Sequence, residues 1–261
     1  MPAIKVIIPR RKGQAARLRD SMSKGFAARR TFERLDLDVS REPRSSRSQA
    51  NGHPDEWVVR DEVIRIVARI RAQLSTTDRV LMFAGVTPGE GPCELAWESA
   101  LALSRLEGER ILLVDTGVSA PWLHKRFHLP VSPGLAEALA GDCFKDAVQA
   151  VVEGRLHVMP AGQTAGGPTA LFSSPGLAPM MQVLRADYRF VLLSAPPMLT
   201  DVSASLLSPF ADGVVLTVAS GSQRRADVRA ACNELRSLKA KVLGVVLCET
   251  GKTNREGAEK A

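Results

Sequence analysis

The chain is short of the residues that build metal sites, disulfide frameworks and membrane spans. Its four cysteines, Cys93, Cys143, Cys232 and Cys248, are scattered and form no CxxC pair. That argues against a zinc site or a disulfide scaffold and for free thiols in a cytosolic protein; no metal site is expected. No apolar run approaches the roughly 20 residues that span a bilayer, and the arginine-rich start lacks the apolar core of a signal peptide. The sequence therefore places the protein in the cytoplasm. Aromatic residues are only 5% of the chain. Within the basic N-terminal region they are Phe26 and Phe32 alone, with no recognisable reading module, so nucleic-acid binding is disfavoured. Tyrosine occurs once, at Tyr188, just before an apolar run where a structural role is expected.

What is present is a sizeable core and an uneven charge. With 261 residues and 45% apolar content, the chain suffices for one substantial α/β domain with extra segments, or two small domains. The net charge of +7 comes from one end: residues 1–54 hold 13 of the 35 Lys/Arg and 5 of the 28 Asp/Glu, leaving 22 against 23 elsewhere. Residues 1–54 read as a basic, flexible arm, with a solvated linker at Ser40 to Gln49 and a short basic helix at Met22 to Leu37. Such an arm suits an anionic membrane surface or an acidic partner, which would make the protein peripheral at the inner membrane.

From Asp55 to Leu74 the pattern is helical, with Trp57, Val58, Ile64, Val67, Ile70 and Leu74 as its apolar stripe. Apolar runs then predict strands at Val80 to Ala84, Arg110 to Val114, Leu156 to Met159, Phe190 to Leu193, Gly213 to Val218 and Val242 to Leu247. Helices are predicted near 95–106, 121–127, 133–152, 176–186, 201–209 and 223–238. Apolar strands alternating with helices imply an α/β fold, a mostly parallel central sheet with helices on both faces, in a single main domain over residues 55–250. Residues 251–261 read as a flexible tail.

The stretch Gly85 to Glu94, GVTPGEGPCE, lies between the first strand and the first following helix, where a phosphate-binding loop belongs. A working loop reads GxxxxGK[ST], its lysine reaching the phosphates and its hydroxyl holding magnesium. Here those two places are Pro92 and Cys93. Proline removes the point charge and a backbone donor together, and a thiol is a poor ligand for hard magnesium. Glu94 sets a carboxylate at the positive helix end, where it competes with an incoming phosphate. The candidate pocket, Gly89, Glu90, Gly91, Pro92, Cys93, Glu94 and Asp115, is accordingly read as a vestigial nucleotide site without catalytic residues.

Several motifs in order carry a family resemblance: TPGEG at Thr87 to Gly91, ILLVD at Ile111 to Asp115, PWLHKRF at Pro121 to Phe127, and GLAEALAG at Gly134 to Gly141. LHVMPAG at Leu156 to Gly162, APP at Ala195 to Pro197, DGVVLTV at Asp212 to Val218 and GVVL at Gly244 to Leu247 continue it. Over roughly residues 56–250 the chain resembles the P-loop kinase domain of bacterial tyrosine autokinases of capsule and exopolysaccharide synthesis, itself related to septum-site and partition ATPases. The resemblance implies an ATP-dependent protein tyrosine kinase. It also implies which positions should carry the chemistry.

At those positions this chain departs from the pattern. Beside Pro92 and Cys93, the motif VDxDxR becomes Val114-Asp115-Thr116-Gly117-Val118-Ser119, keeping Asp115 but replacing an acid and a base with Gly117 and Ser119. The Walker B aspartate corresponds to Ser194, and the base-reading asparagine to Cys248. The tail after Cys248 has no tyrosine, so the family's phosphorylated cluster is missing. Of the family's oligomer helix ExxRxxR, Glu62 and Arg65 fit, while Ala68 stands in for the second arginine. The expectation is a non-catalytic regulator or scaffold in exopolysaccharide or capsule synthesis or export. The resemblance implies a membrane-embedded chain-length regulator, or an active kinase homologue, as partner. No cofactor is expected, though weak ATP or ADP binding stays open. The alternatives are an active autokinase with an atypical site and a partition-type ATPase relative.

Overall fold

The computed structural model describes residues 59–88, 91–141, 144–152, 154–219 and 223–248, together with the backbone of 4–7. Strand β1 (Ile4–Ile7) is followed by helix α1 (Asp61–Arg71), β2 (Val80–Gly85), α2 (Gly91–Glu107), β3 (Ile111–Asp115) and α3 (Leu123–Phe127). Next come α4 (Leu135–Ala140), α5 (Phe144–Ala147), β4 (Gln149–Val152), β5 (Leu156–Met159), α6 (Gly167–Phe172) and α7 (Leu177–Asp187). The chain continues through β6 (Phe190–Ala195), α8 (Ser203–Leu207), a short 3-10 turn (Ser208–Phe210), β7 (Gly213–Ala219), α9 (Arg225–Ser237) and β8 (Val242–Cys248).

The strands form one sheet in the order β1-β8-β7-β2-β6-β3-β5-β4. The six inner strands run parallel, from β8 through β7, β2, β6 and β3 to β5. Antiparallel β1 and β4 close the two edges. Every residue of β2, β3 and β6 is buried, because helices cover both faces and leave no polar side to alternate with. The period of two along β2 still divides the core: Leu81 and Phe83 join Val63, Ile66, Leu95 and Trp97 under α1 and α2. Met82 and Ala84 face the opposite layer with Leu135, Met181, Leu207 and Leu235 of α4, α7, α8 and α9.

Four sequence expectations change. The helix expected over 133–152 is instead α4, α5 and β4. Helix α4 stops at Gly141, whose φ of 102° is left-handed, a conformation that suits glycine. Gln149, Ala150 and Val152 then pair antiparallel with the following strand, with a register shift at Val151. Ile4–Ile7, inside the arm expected to be flexible, pair with β8; the remainder of the arm and the tail 251–261 lie outside the described residues. In α1 the buried stripe is Val63, Ile66, Val67 and Ile70, while Ile64 is 39% exposed. Helix α6 was not read from the sequence.

Candidate functional site

The loop after β2 is held by the exits of its neighbours. Val86 N–H donates to the Thr217 carbonyl (3.2 Å), Met198 N–H to that of Gly85 (2.9 Å), and Leu199 N–H to that of Val86 (3.3 Å). The Gln223 side-chain amide donates to Thr87 Oγ1 at 2.8 Å. Gly89 and Glu90 lie outside the described residues. At the start of α2, Gly91 sits so near Cys248 that an added Cβ would lie 3.4 Å from its Sγ. Pro92 is buried against Gly85, where an added Cβ would meet the proline ring at 3.1 Å. Cys93 hydrogen-bonds the Ser194 side chain, and burial pushes its thiol pKa up to about 11, with Asp115 and Glu94 adding to the rise. The thiol is therefore neutral near pH 7. Glu94 is exposed.

Asp115, at the end of β3, is fully buried. Its Oδ1 accepts from Gly117 N–H at 3.0 Å, and its Oδ2 from Trp122 N–H at 2.8 Å and Leu123 N–H at 3.0 Å. It thus caps the entrance to α3, satisfying donors that a helix start leaves open. Burial pushes its pKa above the ordinary carboxylate range, while the three N–H groups and nearby His124 oppose that rise. Gly117 packs tightly here: an added Cβ would lie 3.2 Å from Asp115 Oδ1 and 3.3 Å from the Ala120 carbonyl.

Ser194, 2% exposed, occupies the matching place on β6. Its hydroxyl accepts from the Trp122 indole N–H at 3.1 Å. Its carbonyl accepts from both N–H and hydroxyl of Thr116, at 3.1 Å and 3.0 Å. Behind Cys248, Arg60 grips Glu98 through Nε to Oε2 (2.9 Å) and Nη2 to Oε1 (2.8 Å), joining the start of α1 to α2. Burial raises the Cys248 thiol pKa, which Arg60 opposes and Glu98 reinforces.

The fold therefore gathers Gly91, Pro92, Cys93 and Asp115 with Ser194 and Cys248 at the carboxyl ends of the strands, where open α/β sheets bind ligands. Glu94 instead faces solvent. Sequence reasoning missed Trp122, Thr116, Gln223 and the Arg60–Glu98 pair. Trp122 had been visible only as part of a family motif, with nothing to signal that its indole reaches β6. A magnesium–nucleotide, the group this fold implies, does not fit these residues. The one carboxylate is engaged by main-chain donors, the hydroxyl place is a neutral thiol, and Pro92 supplies neither charge nor N–H. Among the described residues no group of three His, Cys, Asp or Glu is placed to hold a metal ion, and no helix is long and apolar enough to cross a membrane.

Known proteins now place the chain. A family model described as cellulose biosynthesis protein BcsQ matches residues 79–237, more than half the chain. The chain belongs to that family. It is 29% identical over 213 residues to the tyrosine-protein kinase YwqD of Bacillus subtilis, spanning 79% of this chain and 89% of that one. A second relative, the putative tyrosine-protein kinase EpsB of Ralstonia nicotianae, is 27% identical over 176 residues, 67% of this chain but only 23% of EpsB. Among solved structures, the chimerical protein CapA2B2 superposes with a TM-score of 0.67 at 28% identity, covering 74% of this chain and 85% of that one. The VpsO kinase domain follows at 0.63 and 26%, covering 73% and 98%. The expected kinship with bacterial tyrosine kinases of polysaccharide synthesis is borne out, as is the P-loop α/β fold.

Proposed function

We propose that this protein is a non-catalytic member of the polysaccharide tyrosine-kinase group, acting by protein contact in exopolysaccharide or capsule synthesis or export. One observation carries the reading. The positions at which a kinase of this fold would hold magnesium and phosphate are engaged inside the protein: Asp115 by three main-chain N–H groups and Ser194 by the Trp122 indole. Among the described residues at these positions there is no lysine and Asp115 is already engaged, whereas phosphoryl transfer depends almost wholly on positioned charge. The acceptor is also wanting, since Tyr188, the single tyrosine of the chain, is 4% exposed and hydrogen-bonded to His157 Nδ1 at 2.9 Å.

The partner on this reading is a membrane-embedded chain-length regulator or an active kinase homologue, with the basic arm 1–54 assisting at an anionic membrane surface. Affinity capture from cells should recover one of those two proteins, and recovery of neither would contradict it. Calorimetry with ATP and ADP tests the pocket: magnesium should not strengthen whatever weak nucleotide binding is seen. The competing reading, an active autokinase, draws its support from the kinase names of the relatives and predicts binding that tightens with magnesium.

A further inference from the structure

At the end of the sheet opposite the loop, the chain turns into β2, β3, β5 and β6 around a cleft of about 350 Å³. Arg79, Arg110, Arg185 and Arg189 line it, with Glu109 and Asp187 as its acids. Main-chain bonds fix the arginine-bearing turns to one another: Arg189 N–H donates to the Arg110 carbonyl (2.9 Å) and Val191 N–H to that of Arg79 (2.8 Å). The side chains are partly anchored. Arg185 is held by Asp212 at 2.6 Å and by the Phe210 carbonyl at 2.7 Å. Arg79 reaches the Thr76 carbonyl at 3.2 Å, and Arg189 lies 4.3 Å over the Phe190 ring. The Arg110 guanidinium rests 5.7 Å over the Tyr188 ring, with no side-chain hydrogen bond or ion pair to a described residue.

We propose that this cleft is a second ligand site, one that takes a multiply charged phosphate oxyanion. Arg185 is already paired with Asp212, which leaves Arg79, Arg110 and Arg189 beside the two lining acids, and none of the cations is a lysine. Arginine forks match tetrahedral oxyanions in pairs of N–H bonds, which a point-charge lysine does not. Arg79, Arg185 and Arg189 are partly anchored before any ligand arrives, which lowers the side-chain entropy that opposes binding. Asp187 Oδ2 is buried without a hydrogen-bond partner. Burial pushes that carboxyl above its ordinary range, and nearby Arg110 opposes the rise. The bland alternative is that the arginines only offset the negative ends of α2 and α7, which also point here. That role needs no saturable site and no particular arginine.

The same oxyanion chemistry arises from a dissolved phosphate compound or a lipid headgroup, and the test separates them. Calorimetry of the full chain with pyrophosphate should show saturable binding that weakens at least tenfold in Arg110→Gln and in Arg79→Gln, and is kept in Arg225→Gln on exposed α9. Vesicles of phosphatidylcholine with phosphatidic acid form the second arm. Loss of vesicle binding in Arg110→Gln assigns the site to a headgroup; vesicle binding unaffected by that variant, with pyrophosphate binding lost, assigns it to a dissolved phosphate. Because the Arg110 side chain makes only a ring contact with Tyr188, Arg110→Gln should shift the urea midpoint slightly and leave the chain folded. Absence of saturable pyrophosphate binding, equal affinity in Arg110→Gln, or an equal loss in Arg225→Gln would overturn the proposal.

Discussion

Asp115 keeps the residue that the kinase pattern implies, and it also accepts three main-chain bonds at the start of α3. Two buried N–H groups, of Gly117 and Leu123, and the part-buried one of Trp122 depend on it, and each would lose its acceptor in Asp115→Ala. Leaving buried donors unmet costs about 1–3 kcal/mol apiece. Asp115→Ala should therefore lose roughly 3 kcal/mol or more in urea unfolding; a variant as stable as the parent would show that the cap contributes nothing. His157 makes the corresponding statement about pH. Burial, with Arg110 nearby, lowers its pKa from 6.5 to about 4, so between those values the unfolded chain holds the extra proton. Its stabilising contribution is complete above about pH 6.5 and is lost as pH falls towards 4, by up to roughly 3 kcal/mol. Urea midpoints at pH 4.5 and 7 should differ in that sense, and His157→Gln should flatten the difference.

Among the elements, the sequence was most legible where burial on both faces leaves an unbroken apolar run. The strands β2, β3, β5, β7 and β8 could each be read within a residue of their ends, and β6 within two. Helix α4 was lost inside a longer predicted helix, because Gly141 resembles any glycine until its φ is known. The edge strands β1 and β4 were missed because each owes its form to a neighbour distant in sequence or across a turn. The candidate site was half legible: Pro92, Cys93 and Ser194 could be aligned by motif, but the indole of Trp122 reaching Ser194 is a contact between elements with no local signature. Gly134, opening α4, is another such contact. A Cβ there would approach Gly162 N and the Pro160 carbonyl to 2.4 Å, backbone atoms with little room to move. Gly134→Ala should consequently lower the melting temperature sharply, by several degrees at least; an unchanged melting temperature would mean that this loop yields. Restoring the motif alone should not restore chemistry. Pro92→Lys with Cys93→Thr leaves Asp115 and Ser194 engaged, and labelled ATP should still show no turnover.

At the scale of the whole molecule the two ends of the sheet differ. The carboxyl ends of the strands carry Asp115 and Ser194 engaged from within, and the amino ends carry arginines around an open cleft. The P-loop scaffold persists because its apolar strands and tight turns stabilise the fold whether or not nucleotide is processed. A protein built this way can present family surfaces to family partners without transferring phosphate. The most direct measurement is phosphoryl transfer by the purified full chain with magnesium and labelled ATP. No ATP turnover and no labelled protein above a protein-free control is the expected result; magnesium-dependent turnover that disappears in Asp115→Asn would contradict the non-catalytic reading.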